Sequence, residues 1–172
     1  MKISTTRFGM IEISESDIIL MRRGILGFEE SKKYALLYQD VKNPFLWFQS
    51  LDDGATAFVV IDPFLLQPYY QPELNDDTLE KLEIDNPEDV ALMVIVSIRS
   101  NPVLLTANLR APIVINAAKK KACQVVLEDS RFPIRYDILK NREFLLGGHS
   151  NLSSDQKDSN KVPCYEISAT AP

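Results

Sequence analysis

Residues 90–98 read Val90-Ala91-Leu92-Met93-Val94-Ile95-Val96-Ser97-Ile98, and this run decides the fold. Leu92, Val94, Val96 and Ile98 share one parity, while Ala91, Met93 and Ile95 share the other. Successive side chains of a strand point to opposite faces, so a strand apolar on both parities is covered on both sides. A central position follows. The unbroken apolar part, residues 90–96, falls far short of the ~20 residues that a membrane-spanning helix needs.

Working outward, shorter runs rich in Val, Ile, Phe, Tyr and Trp occupy 34–38, 45–50, 57–61, 103–109, 113–116 and 122–127. Upstream, Ile11-Glu12-Ile13 alternates as a half-buried strand should. Turn signals separate these runs: Asn43-Pro44, Asp52-Asp53-Gly54, Asn101-Pro102 and the basic Lys119-Lys120-Lys121. About eight short strands with few helices between them predict a mainly β protein. The expected architecture is a small closed or partly closed β-barrel of short antiparallel strands, with few short helices.

The clearest helix is expected over 76–82. Asn75 suits its N-cap, Asp76 and Asp77 favour the positive end of its dipole, and Leu74 can staple onto Leu79. Asn86-Pro87-Glu88-Asp89 predicts one further turn with Pro87 at the first helical position. A third helix is predicted over 138–146, begun by Asp137 and stopped by Gly147-Gly148. Beyond it the composition turns to Ser, Asn, Asp and Lys, too polar to offset the entropy of ordering. The expected organisation is one barrel domain over 1–146 and a flexible polar tail over 147–172. Docking of residues 162–167 on the barrel is the less expected alternative.

Composition narrows the function. The chain has 172 residues, 45% apolar and 25% charged, with a net charge of −5. That is an ordinary globular composition of one-domain size, without the basic footprint of a nucleic-acid binder. The first residues, Met1-Lys2-Ile3-Ser4-Thr5-Thr6-Arg7, lack a signal-peptide core, so a cytoplasmic, membrane-free protein is expected. Cys123 and Cys164 are too few and too far apart for a disulfide framework, and they read as free thiols. No metal site and no cofactor are expected. His149 stands in a polar segment, and Gly24-Ile25-Leu26-Gly27 lacks the lysine of a phosphate loop. Asp52-Asp53 with Gly54 behind them form a turn more simply than an acid–base pair. No catalytic constellation survives.

Charge placement is the informative feature. Residues 73–89 hold eight carboxylates against Lys81 alone, a net −7 that leaves +2 for the remainder. Such a run serves either as a solvated face or as a docking surface for a basic partner. Just before it lies Pro63-Phe64-Leu65-Leu66-Gln67-Pro68-Tyr69-Tyr70, either a core-crossing loop or the apolar centre of an interface.

Several blocks then carry a resemblance. They are Gly24-Ile25-Leu26-Gly27-Phe28-Glu29, Pro44-Phe45-Leu46-Trp47-Phe48-Gln49-Ser50 and Ala57-Phe58-Val59-Val60-Ile61-Asp62-Pro63-Phe64. Asn86-Pro87-Glu88-Asp89-Val90, the stretch from Thr106 to Asn116, and Gln124 through Arg135 complete the set. In this order, over residues 1–136, the chain resembles the bacterial flagellar assembly factor FliW. The chain departs from the family at Met21-Arg22, where an aromatic–proline pair is usual, and at Asp53-Gly54-Ala55-Thr56.

The resemblance implies a non-enzymatic β-barrel protein that binds flagellin and the translational regulator CsrA. Flagellin-bound protein leaves CsrA free to repress flagellin translation; once flagellin is secreted, the freed protein removes CsrA from the message. On that basis Glu73, Asp76, Asp77 and Glu80 are the candidate contacts to CsrA's basic surface. Phe64, Tyr69 and Tyr70 are the candidate apolar contacts to flagellin. A monomer is expected, without direct nucleic-acid binding. The alternative is a small barrel enzyme or ligand carrier with a pocket near Trp47, Tyr69 and Tyr70.

Overall fold

A computed structural model describes residues 1–40 and 42–141, together with the backbone of residues 165–166. In chain order the strands are β1 (Lys2–Thr5), β2 (Gly9–Glu12), β3 (Ile19–Met21), β4 (Lys33–Tyr38), β5 (Phe45–Ser50) and β6 (Ala57–Ile61). Helix α1 (Asp76–Lys81) precedes β7 (Val90–Ser100), β8 (Val103–Ala107), β9 (Ile113–Asn116), β10 (Lys121–Gln124), β11 (Tyr136–Asp137) and β12 (Tyr165–Glu166).

Hydrogen bonding runs β7-β6-β5-β4-β3-β10-β9 and back to β7, closing a ring. The expectation of a barrel is therefore met, with one refinement. Seven strands make up the ring among the described residues. An odd ring cannot alternate direction at every step, so at least one neighbouring pair must be parallel. That pair is β3–β10, where Leu20 faces Lys121 and Met21 faces Ala122.

β7 is the hub, as its two apolar parities predict. One edge carries β9 along Val90, Ala91, Leu92 and Met93, then β8 along Val96 to Ser100. Its other edge meets β6 at Val94 and Ile95. The two parities enter two different cores. Ala91, Met93 and Ile95 pack with Ile19, Met21, Tyr34, Leu36, Phe48, Val60, Ile113, Ile115 and Ala122. Every ring strand contributes to this cluster, which makes it the barrel interior. Leu92, Val94 and Val96 pack outside the ring with Ile61, Tyr70, Leu82, Leu109, Val114, Leu127, Phe132 and Ile138. The expectation fails at the far end: residues 97–100 are exposed, because the β7–β8 hairpin projects beyond both cores.

The β1–β2 hairpin covers a third cluster on the outside of β4, containing Ile11, Ile13, Ala35, Leu37 and Leu51. Residues 136–141 differ from the helix expected over 138–146. Ile138 N–H instead donates to Leu105 O at 2.9 Å, extending the β8 pairing, and Ile138 is buried in the outer core. The Asp137 carboxylate accepts from Lys140 N–H at 3.1 Å, which makes a turn. Residues 142–146, His149, Cys164 and the expected boundary at 146 lie outside the described residues.

Candidate partner-binding face

The acidic segment is capped locally at the start of α1 and held to the barrel at its end. The Asn75 side chain accepts from Thr78 N–H at 2.9 Å, the cap its sequence predicts. Leu82, just past the helix, is buried in the outer core. Asn116 on β9 is buried and donates from Nδ2 to Leu82 O at 2.9 Å and Glu83 O at 2.8 Å. Glu83 then takes φ +54°, a left-handed conformation that reverses the chain. The further turn expected at 86–89 is a 3₁₀ turn over Pro87–Asp89.

Glu73, Asp76, Asp77 and Glu80 are all exposed on this framework. They do not form a face of pure negative charge. Asp77 pairs with Lys81, and Glu83 pairs with Lys121. Hydrogen bonding to Lys121 holds the Glu83 carboxyl below the usual carboxylate range. Arg131 lies within the field of Glu73, with its guanidinium bound to Asp129. Asp77, Glu80 and Glu83 also line a groove of about 550 Å³ with Arg22, Lys81 and Lys121, floored by Leu20, Met21, Leu82 and Ala122. The groove follows the parallel β3–β10 seam. Neither it nor Arg22 was singled out as a site in the sequence, because the seam joins residues a hundred positions apart.

The aromatic stretch divides into exposed and buried members. Asp62 accepts from Phe64 N–H at 2.8 Å and starts a 3₁₀ turn over Pro63–Leu65. Phe64 is 44% exposed and Tyr69 91% exposed. Tyr70 is 0% exposed, so it takes no part in a surface contact. Its ring meets Phe132 edge-on at 4.8 Å, and its hydroxyl donates to Leu109 O at 2.7 Å. Burial pushes this phenol far above its usual range.

Trp47 lies elsewhere. Its ring packs edge-on to Phe8 at 5.6 Å under the β1–β2 hairpin, with Arg7 at 4.3 Å over its face. Trp47 and Tyr70 thus belong to separate clusters. Among the described residues no group of three or more His, Cys, Asp or Glu is placed to hold a metal ion. Cys123 is half-buried on β10, and burial raises its thiol pKa. No described helix is long and apolar enough to cross a membrane.

Two apolar surfaces escaped the reading of the sequence. One is the β7–β8 tip, where Ile98, Val103 and Leu104 are exposed around the cis Asn101-Pro102 bond. The other is the loop carrying Leu26 and Phe28, whose ring also packs edge-on to Phe58 at 4.9 Å.

Comparison with known proteins agrees with this architecture. The family described as FliW protein matches residues 2–138. A flagellar assembly factor FliW of Syntrophus aciditrophicus is 92% identical over all 172 residues, covering the whole of both chains. One from Treponema denticola is 44% identical over 139 residues, covering 81% of this chain and 94% of its own. A crystal structure of the flagellar assembly factor FliW superposes with a TM-score of 0.73 at 40% identity, over 80% of this chain and 96% of that one. With barrel, sequence blocks and relatives in agreement along most of its length, the chain belongs to the FliW family of flagellar assembly factors.

Proposed function

We propose that this protein is a non-enzymatic cytoplasmic regulator that binds flagellin and CsrA in exchange for one another. Flagellin abundance would then set how much CsrA is free to repress flagellin translation. Membership of an assembly-factor family supports the flagellar role, and the resemblance of its sequence blocks supplies the two partners. The observation that carries the assignment of surfaces is the exposed acid of α1 on a helix capped at its start and bonded to β9 at its end. A rigid negative face speeds encounter with a basic partner and loses little freedom on docking. CsrA is that partner, met by Glu73, Asp76, Asp77 and Glu80.

Flagellin is held by apolar area, with Phe64, Leu65 and Tyr69 as the exposed contacts. Tyr70 supports Phe64 from below, their rings 6.2 Å apart and edge-on. The protein acts as a monomer, needs no cofactor, and carries both contacts within residues 1–141. The test is to titrate purified flagellin into a preformed complex of this protein with labelled CsrA, following anisotropy. Flagellin should release CsrA in proportion to flagellin bound. If neither protein binds at micromolar concentration, the assignment fails.

A further inference from the structure

The two edges of β4 are covered unequally. β5 pairs with it from Tyr34 to Leu37. On the other edge β3 reaches only Lys33 and Tyr34, because the chain before Ile19 leaves through a 3₁₀ turn over Glu15–Asp17. Beyond that point the edge would offer unpaired backbone donors and acceptors, a template for any extended chain. Here Tyr165 and Glu166 fill it, running parallel to Leu37 and Tyr38. The base is firm, since Leu37 of β4 is fully buried beneath the β1–β2 hairpin.

Two paired residues are well below a usual strand of about 5–6, and parallel pairing is the weaker kind. Such a contact persists chiefly because its two halves share one chain, which sets an effective concentration on the order of millimolar. We propose that the β4 edge at Leu37–Tyr38 is a strand-accepting site and that residues 165–166 are its intramolecular, displaceable occupant. An extended polypeptide segment entering this edge has to displace them, with backbone hydrogen bonds as its main source of affinity. This inference is independent of which face meets CsrA.

Hydrogen exchange of the full-length protein tests it. Replacing Tyr165 and Glu166 together with proline removes the backbone donors of β12. Exchange in residues 35–40 should then rise several-fold, while β7 and β9 keep their protection. A synthetic peptide of residues 160–170, added at millimolar concentration to this variant, should restore protection; the same peptide with both prolines should not. Unchanged exchange in the variant would overturn the proposal, as would failure of the peptide to restore it. Loss of protection throughout the barrel would overturn it too, by making β12 an integral strand. Protection in the parent that disappears on dilution would assign the edge to a second copy instead.

Discussion

Gly54 has no room for a side chain: a Cβ there would lie 2.0 Å from the Ser4 carbonyl oxygen. The backbone of the hairpin passes directly over it, and Thr6 N–H donates to Gly54 O at 3.0 Å. Gly54→Ala should cost about 1–3 kcal/mol through overpacking, seen as a lower thermal midpoint. That Asp52-Asp53-Gly54 forms a turn is legible in the sequence; why it must end in glycine is not, because the clash comes from residues fifty positions away. Tyr70 teaches the same. Nothing in the pair Tyr69-Tyr70 says which ring faces inward, and Leu109 and Phe132 decide it. Tyr70→Phe leaves the Leu109 carbonyl buried without its partner and should cost about 1–3 kcal/mol at neutral pH. The same substitution changes the alkaline limb. The folded phenol is pushed up, so above pH ~10 the unfolded chain loses a proton that the folded chain keeps, and stability falls as pH rises. Tyr34 and Tyr136 are raised as well, so Tyr70→Phe should flatten this decline only in part. Urea unfolding between pH 8 and pH ~11 measures both effects.

At the scale of elements, β7 was the most readable part of the chain and also shows where such reading stops. Alternation sorts Ala91, Met93 and Ile95 into the barrel and Leu92, Val94 and Val96 onto its outer face. Val96→Asp should bury an unpaired carboxylate in the outer core and cost several kcal/mol, a large part of a typical stability of about 5–15. Soluble variant protein with the parent's melting profile would contradict that placement. Ile98 continues the pattern yet is 64% exposed, because alternation records direction and not whether a neighbour lies across the gap. The helix over Asp76–Lys81 was legible from its cap and its first-turn acid. The helix expected at 138–146 was not realised at its start, since Ile138 gains more by burial and pairing beside β8 than by beginning a helical turn. The parallel β3–β10 seam had no local signature at all; the odd number of strands in the ring requires one parallel pair without saying which.

For the whole molecule, residues 147–172 should be dispensable for the fold, because their polar composition offers little apolar surface to bury. Truncation after Leu146 should leave the thermal midpoint nearly unchanged. A drop on the order of ten degrees would mean that the segment packs as part of the barrel. The overall distribution of charge was visible from composition, whereas its local balance was not. Lys81 and Lys121 pair with Asp77 and Glu83, and only the fold brings the second pair together. The central claim is that the acid of α1 docks CsrA electrostatically while flagellin is held by apolar contacts. Exposed charges act over about 8 Å at physiological salt, so a contact of this kind weakens as salt rises. The most direct measurement is the CsrA association rate against ionic strength for Asp76→Asn, Asp77→Asn and Glu80→Gln combined. Circular dichroism comes first, because Asp76 and Asp77 also favour the helix dipole. The folded variant should associate more slowly with CsrA, with a flatter salt dependence, and should bind flagellin as the parent does. An unchanged rate and salt slope for CsrA would contradict the claim and make the acid of α1 a solvated face only.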